Sequence, residues 1–206
     1  MKSTVTAKPI AALVAGWCLA LLVSACVPES IHPLSDPAQA KVDARLAGLW
    51  ASRKDDEDAV LHFIPRSDGW MEIVMVSYRN NRAAGEWSVF RMFPSRLDGR
   101  DYMNVRFVAE AAELATSKRF VLVRYHLSRD GALTIWSMSE QAAQSAIKAG
   151  LKGSVGKGAF GRDTLIEAKT SDLVAFLRRS DVEKLFDNKI GPFRRIDLKN
   201  SRSESR

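Results

Sequence analysis

Two histidines lie in apolar segments of the chain, where they could bind a metal ion. His62 belongs to the run 60–64 and His126 to the run 119–127, and both runs have the composition of β-strands. A zinc site needs three or four ligands that are held in place by ordered neighbours. Neither histidine has a neighbouring acid at ligand spacing. We therefore expect no metal site, and both histidines are better explained as partly buried, hydrogen-bonded residues.

Two further stretches resemble ligand loops in composition only. The acidic run 55–58 lacks the alternating ligand spacing and the glycine of a calcium loop, so it predicts a solvated hairpin tip. The segment 150–162 is rich in glycine, but position 151 is Leu and position 158 is Gly, so both ends of a phosphate-binding P-loop fail. It also precedes a predicted strand, whereas a phosphate loop precedes a helix. We predict a surface loop here.

Catalytic motifs are not evident in the sequence. No serine lies in a G-x-S-x-G elbow, and no paired carboxylates stand out. The chain is therefore predicted not to be an enzyme and to carry no cofactor. A hydrolase is kept as an alternative, because catalytic triads assemble from residues that are distant in sequence.

Aromatic residues are numerous for a single domain. They could simply fill the core. The functional alternative is a barrel mouth lined by aromatic side chains that binds an apolar ligand. The candidate lining residues are Trp70, Trp87, Phe107, Tyr125 and Trp136.

The first 25 residues have the parts of a secretory signal. Lys2 and Lys8 give a positive start, and the apolar run 10–23 is too short and too rich in Ala to span a bilayer, which takes about 20 apolar residues. At the end of this run, Leu22-Val23-Ser24-Ala25-Cys26 resembles the lipobox of bacterial lipoproteins, which is cleaved between Ala25 and Cys26. An ordinary signal peptide cut at an Ala-x-Ala-like site, with Cys26 incidental, is the alternative.

The lipobox resemblance implies diacylglycerol on the sulfur of Cys26 and a third acyl chain on its new amino group. Two or more acyl chains hold a protein stably on a membrane, which would then be its first partner. Val27 stands where an Asp marks inner-membrane retention in many Gram-negative lipoproteins. The resemblance thus implies the periplasmic face of the outer membrane, with the inner membrane as the alternative.

Cysteine count and charge exclude several classes of function. Cys18 would leave with the leader and Cys26 would be lipidated, so the mature domain has no disulfide, thiol nucleophile or thiolate metal site. The formal charge of the whole chain is +7, and the mature chain stays basic without Lys2 and Lys8. A basic excess suits nucleic acid, but an exported protein does not meet it, so we expect no nucleic-acid partner.

The mature chain divides into three parts. Residues 26–45 are polar and carry three prolines, which predicts a flexible tether that holds the domain clear of the lipid. Residues 46–196 are sufficient for a single domain without disulfides. Residues 197–206 are short, polar and charged, and predict a disordered tail.

The domain is predicted to be mainly β, a β-rich α+β fold. Its apolar or alternating runs follow one another at hairpin spacing with turn residues between them, which is typical of an antiparallel meander. With a last strand at 164–168, we expect about seven or eight strands in an open or closed small barrel. Two short helices are expected near the C-terminus, the first capped by Ser139 and the second by Ser171. The seven meander runs are 46–50, 60–64, 70–78, 86–93, 102–108, 119–127 and 133–136.

Two resemblances concern the start of the domain. Gly48-Leu49-Trp50 resembles the G-x-W element of lipocalins, in which the Trp closes one end of a small barrel, although the helices after Trp136 depart from that pattern. A core Trp on an edge strand is the alternative. Most of residues 26–196 is similar to uncharacterised bacterial lipoproteins with an L-x-G-x-W start and a late Thr-Ser-x-x-Leu helix, a likeness that implies no activity. Its residues here are Leu46, Gly48, Trp50, Thr170, Ser171 and Leu173 or Leu177.

These observations lead to a lipid-anchored cell-envelope lipoprotein with one β-rich domain. The first hypothesis is a non-catalytic binding or interaction module that holds an apolar, lipid-like ligand. The second is a structural or assembly partner that offers a sheet edge to another envelope protein. An envelope hydrolase is the third.

Overall fold

The structure is a computed structural model that describes residues 27–54, 57–79, 86–108, 118–158 and 161–197. The predicted signal peptide, with Ala25 and Cys26, lies outside the described residues. So do Asp55 and Asp56 of the acidic run, and the predicted tail beyond position 197.

Seven consecutive antiparallel strands form the meander predicted from the sequence. Each strand pairs with the next one along the chain. Apolar residues alternate with polar ones along most of these strands, so one face of each strand turns into a common core. The strands are β2 (Gly48–Lys54), β3 (Glu57–Pro65), β4 (Met71–Arg79), β5 (Glu86–Leu97), β6 (Arg100–Val108), β7 (Val121–Leu127) and β8 (Ala132–Ser137).

The strand that closes the barrel was not predicted. β11 (Asn188–Arg195) pairs with β8 on one side and with β2 on the other, giving a closed barrel of eight strands. Its sequence carries Pro192, which argues against a strand in a sheet interior. The structure accommodates the proline at an irregularity in the register between Ile190 and Phe193. The expected small barrel is therefore confirmed, in its closed form.

An insertion between β8 and β11 covers part of the outside of the barrel. It contains α1 (Glu140–Lys148), α2 (Thr170–Arg179) and α3 (Val182–Leu185). Two strands, β9 (Gly153–Gly158) and β10 (Gly161–Ile166), form a hairpin within it.

The β9–β10 hairpin corrects the prediction of a loop over 150–162. Glycine has a low propensity for β-strands, so the glycine-rich composition of this segment does not predict β9. One of its glycines has a packing role, because a Cβ on Gly153 would stand 2.6 Å from the carbonyl oxygen of Leu165 and 2.8 Å from the side chain of Ile147. The glycine therefore lets α1 lie against the hairpin.

The described part of the predicted tether lies against the domain. β1 (Glu29–Ser30) pairs in parallel with β10, and Ser30 also exchanges two backbone hydrogen bonds with Phe120. Further on, the backbone N–H of Leu34 donates to Oδ1 of Asn104 at 2.7 Å, and the side chain of Leu34 is buried. The structure thus differs from the sequence prediction. Residues 27–46, which we call the N-terminal segment, are held by specific partners on the barrel.

The barrel has two ends, which we name by a residue at each. The Trp50 end holds the start of β2 and the β3–β4, β5–β6 and β7–β8 turns. The Ser137 end holds the last residues of β2, β4, β6 and β8 and the first residues of β11. The N-terminal segment starts at the Ser137 end, beside Phe120, and runs to the Trp50 end, where Ala40 contacts the turn at Gly69.

Two apolar cores result from this arrangement. The inner core fills the barrel and contains Leu46, Trp50, Phe63, Met92 and Phe193. The outer core lies between the barrel and the helices. It is built from one face of each helix and the outward side chains of β5, β6 and β7, such as Phe93, Tyr102 and Leu122, together with Leu34 of the N-terminal segment.

The docked segment can be tested at Gly69. A Cβ at this position would stand 2.1 Å from the carbonyl oxygen of Ala40, and φ is +82°, whereas Gly99 has φ +77° with nothing within 4 Å of its Cβ position. We expect Gly99→Ala to lower the free energy of unfolding by about 1 kcal/mol from backbone strain alone. Gly69→Ala should cost about 2 kcal/mol more, because it also displaces the segment. Chemical denaturation of both variants measures this, and equal losses would mean that the segment is not docked.

Candidate functional site

An apolar cavity lies inside the barrel and is the candidate functional site. Its volume is about 50 Å³. Ten side chains from β3 to β8 line it, and none of them carries a polar or titratable group. They are Leu61, Phe63, Ile73, Met75, Phe90, Met103, Val105, Val121, Val123 and Ile135.

The chemistry of the lining determines what the cavity can hold. Water in a protein interior needs two to four polar partners, and this lining offers none, so the cavity suits apolar matter. Pockets for drug-sized ligands usually measure about 300–1,000 Å³, so the space of about 50 Å³ fits only a slim group without movement. Met75 and Met103 are unbranched and flexible, and changes in their rotamers can enlarge the cavity.

Small polar side chains face the interior near the Ser137 end. Ser88 is the register partner of Met75, and Ser137 is the partner of Val123, so both share the inner face with cavity residues. Alternation along β4 places Ser77 on the same face. Nδ2 of Asn188 donates to Oγ of Ser137 at 3.0 Å. The inner face of the barrel thus carries hydroxyl groups between the apolar cavity and the Ser137 end.

The opposite end of the barrel is closed. Leu46, just before β2, is fully buried, and its carbonyl oxygen accepts a hydrogen bond of 2.7 Å from Nε1 of Trp50. The guanidinium of Arg195 lies 4.7 Å from the centre of the Trp50 ring and donates to the carbonyl oxygen of Ala47 at 2.8 Å, and also to that of Arg45. A cation over the face of an indole is attracted by the ring. Arg195 of β11 therefore holds in place the chain that leads into β2.

Asp43 contributes to the closure of the same end by linking Tyr125 of the barrel to Arg45 of the N-terminal segment. Its carboxylate accepts hydrogen bonds from the Tyr125 hydroxyl at 2.7 Å and from the Arg45 guanidinium at 2.6 Å. Burial alone would raise the pKa of Asp43, but these hydrogen bonds and the charge of Arg45 outweigh it, so the pKa lies below the usual range. Burial and the Asp43 carboxylate raise the pKa of Tyr125, which keeps its hydroxyl a neutral donor.

Two of the five aromatic residues predicted to line a ligand site face the interior. Tyr125 is buried in the inner core. Phe107 is the register partner of Phe90, with the two ring centres 5.4 Å apart, and it lies at the Ser137 end with 36% of its surface exposed. The structure brings neither of them into the cavity lining itself.

The other three predicted residues lie on the outside of the barrel. Trp70 packs against Phe93 of the outer core, with ring centres 4.7 Å apart. Trp136 lies under the guanidinium of Arg124, 4.3 Å from its ring centre. Trp87 points outward from β5 and is 56% exposed. Residue type alone does not decide which face of a strand a side chain occupies, whereas the alternation along the strand does.

Part of the cavity lining can be recognised in the sequence from the alternation along β7. Val121, Val123 and Tyr125 share one face of the strand with the clearest alternation, and that face is the inner one. The residues that close the Trp50 end left no such signal. Asp43 and Arg195 lie outside the predicted strands, and their partners are distant in sequence.

His62 and His126 are far apart in the barrel. Each lies on the outward face of its strand, because its chain neighbours Leu61, Phe63 and Tyr125 face inward. β3 and β7 are four strands apart in a barrel of eight, so the two histidines point away from each other on opposite sides. Across the described ranges, no three His, Cys, Asp or Glu residues form a group that could hold a metal ion.

Comparisons of the chain with protein-family models, with curated proteins and with solved structures found no match. The helices that the structure describes are all too short or too polar to cross a membrane.

The closure at Asp43 makes a prediction about pH. Because the pKa of Asp43 is lowered in the folded state, its stabilisation is present above the ordinary Asp pKa of about 3.9 and is lost as the pH falls through the lower folded-state value. Asp43→Asn should reduce the free energy of unfolding at pH 7 by about 1–3 kcal/mol. It should also weaken the acid dependence of stability below about pH 4.

Denaturation curves at pH 7 and between pH 2 and 5 provide the measurement. Asp163→Asn is the matched control, because Asp163 is exposed on β10. If both variants behave alike, Asp43 does not hold the Trp50 end.

Proposed function

We propose that this chain is a lipid-anchored, non-catalytic lipoprotein of the periplasmic face of the outer membrane, whose barrel binds a slim apolar ligand. One observation carries the ligand proposal, namely the cavity between β3 and β8 with its wholly apolar lining. Natural cores are packed without voids of this kind as a rule, because each void forfeits dispersion contacts. A small cavity with this lining beside flexible methionines is the expected form of a site for a slim apolar group.

The position of the serines adds to this proposal. A ligand with an apolar chain and a small polar head could place the chain against Met75 and Val123 and its head near Ser77, Ser88 and Ser137. Each buried methylene group is worth about 0.8 kcal/mol, so a chain of about ten carbons would supply the roughly 8 kcal/mol of a micromolar dissociation constant. Such a chain fits only if Met75 and Met103 move. The same lining speaks against catalysis within the cavity, since it offers neither a nucleophile nor an acid or base.

A second candidate function rests on the small sheet outside the barrel. β9 pairs with β10 on one side only, among the strands that the structure describes, so its other edge can accept a strand from a partner. Such an edge would suit an assembly partner within the envelope. The barrel itself is closed and offers no edge.

The ligand proposal is tested by native mass spectrometry of the mature chain carrying Cys26→Ser, purified from the periplasm under gentle conditions. The whole mature chain is needed, because residues 27–46 belong to the fold. We expect an added mass that disappears on denaturation. Val123→Leu adds one methylene group inside the cavity, so it should abolish the added mass and raise the stability of the ligand-free protein by up to about 1 kcal/mol.

Val74→Leu is the matched control for Val123→Leu. It adds the same group on the outer face of β4 and should retain the added mass. If the protein without a cavity substitution shows only the mass of the ligand-free chain, the ligand proposal is contradicted. The assembly function proposed for the β9 edge would then be favoured. Crosslinking in the envelope would then be the next experiment.

The anchor proposal makes a separate prediction. Cys26→Ser should release the protein from membranes and prevent the incorporation of labelled fatty acid, because the thiol that accepts the lipid is gone. Fractionation and metabolic labelling with palmitate are the measurements. Cys18→Ser is the control and should change neither result. If Cys26→Ser stays in the membrane fraction with its label, the lipobox interpretation is wrong.

A further inference from the structure

The docked N-terminal segment determines where the anchor meets the domain. Val27, the first described residue, lines a surface pocket together with Ser137, Met138 and Asn188. This pocket lies at the Ser137 end, between the end of β8 and the start of β11. Cys26 is the next residue along the chain, so no free spacer separates it from the barrel. A lipid on Cys26 would bring the Ser137 end to the membrane surface.

Exposed aromatic side chains lie at the same end. Tyr78 near the end of β4 is 36% exposed, and Trp87 at the start of β5 is 56% exposed. Both point outward, and Val76 is the register partner of Trp87 on that face. We call Val74, Val76, Tyr78, Trp87 and Val89 the β4–β5 patch. Exposed apolar patches of this kind usually mark an interaction surface.

The anchor point and the β4–β5 patch lie on opposite sides of the barrel. In the order of strands around the barrel, the β8–β11 junction is separated from the β4–β5 pair by half of the circumference. Two contacts on opposite sides of one rim would fix its orientation on a flat surface. A lipid on Cys26 alone would leave the domain free to tilt.

We propose that the β4–β5 patch is a membrane-contact surface, and that the barrel stands on the bilayer with its Ser137 end toward the lipid. The proposal rests on the lipid anchor proposed above. The occupant of the patch is the lipid headgroup region, where Trp and Tyr are favoured because their rings are apolar with one polar atom. In this orientation the inward-facing serines lie on the bilayer side of the cavity.

Tryptophan fluorescence of the lipidated mature protein tests the proposal. The protein is reconstituted into vesicles of phosphatidylethanolamine and phosphatidylglycerol, with and without brominated acyl chains that quench nearby indoles. Trp50 is buried in the inner core, and Trp70 lies at the far end of the barrel. Trp136 lies at the Ser137 end, but it is partly buried against the outer core and covered by the guanidinium of Arg124. Quenching should therefore come mainly from Trp87. We expect brominated lipid to lower the emission, and Trp87→Phe to reduce that drop at least twofold.

Trp70→Phe is the matched control and should keep the drop. A thermal melt checks that Trp87→Phe folds, which we expect because the side chain is 56% exposed. If the protein floats with the vesicles but brominated lipid quenches nothing, or Trp87→Phe leaves the drop unchanged, the orientation is wrong and the anchor stands. If the protein does not float with the vesicles, the anchor fails, and this proposal fails with it.

Discussion

The closure of the barrel at the Trp50 end is the constraint on which the rest of the structure depends. At this end an eight-stranded barrel keeps its interior dry only if the end is covered, because water at an open end would meet the apolar side chains. Here Leu46 and Trp50 form the seal, and Arg195 fastens it to the last strand. Asp43 pairs with the hydroxyl of Tyr125, which would otherwise be a buried donor without a partner.

This seal also decides the course of the N-terminal segment. Because Asp43 and Leu46 are fixed at the Trp50 end while Ser30 is paired at the Ser137 end, the chain between them must run along the outside of the barrel. There Leu34 completes the outer core, and its backbone N–H is satisfied by the buried side chain of Asn104. A segment with the composition of a linker thereby becomes part of the fold.

The side chains consequently fill the interior of the barrel unevenly along its length. The side chains that pack toward the Trp50 end, such as Met71, Leu133 and Phe193, are almost fully buried and leave no cavity. Toward the Ser137 end several inward residues are small, with valines on β6 and β7 and serines on β4, β5 and β8, and Phe107 is the large side chain among them. The cavity lies between these two regions and is lined by residues from the middle of the strands, such as Met75, Met103 and Ile135.

The sequence predicted those parts of the fold that depend on local patterns. Alternation in β7 and the turns at Gly69, Gly99 and Gly131 reflect hairpins, in which partners are close along the chain. β11 and the docked segment escaped prediction because their partners are remote: Leu34 and Asn104 are 70 residues apart, and Asp43 and Tyr125 are 82 apart. For the site, the choice of aromatic residues favoured Trp70 and Trp136, whose rings instead pack beneath arginines on the outer face.

The measurement that tests this account most directly is hydrogen exchange of the N-terminal segment in the mature protein. The amides of Ser30, Leu34 and Leu46 donate to Phe120, Asn104 and Asp43 respectively. The account predicts that all three exchange as slowly as amides in the middle of β3 and β4, since they would open only when the domain unfolds. Exchange at the rate of an unstructured peptide would show a free tether, and the sealed barrel end and the docked N-terminal segment would both be contradicted.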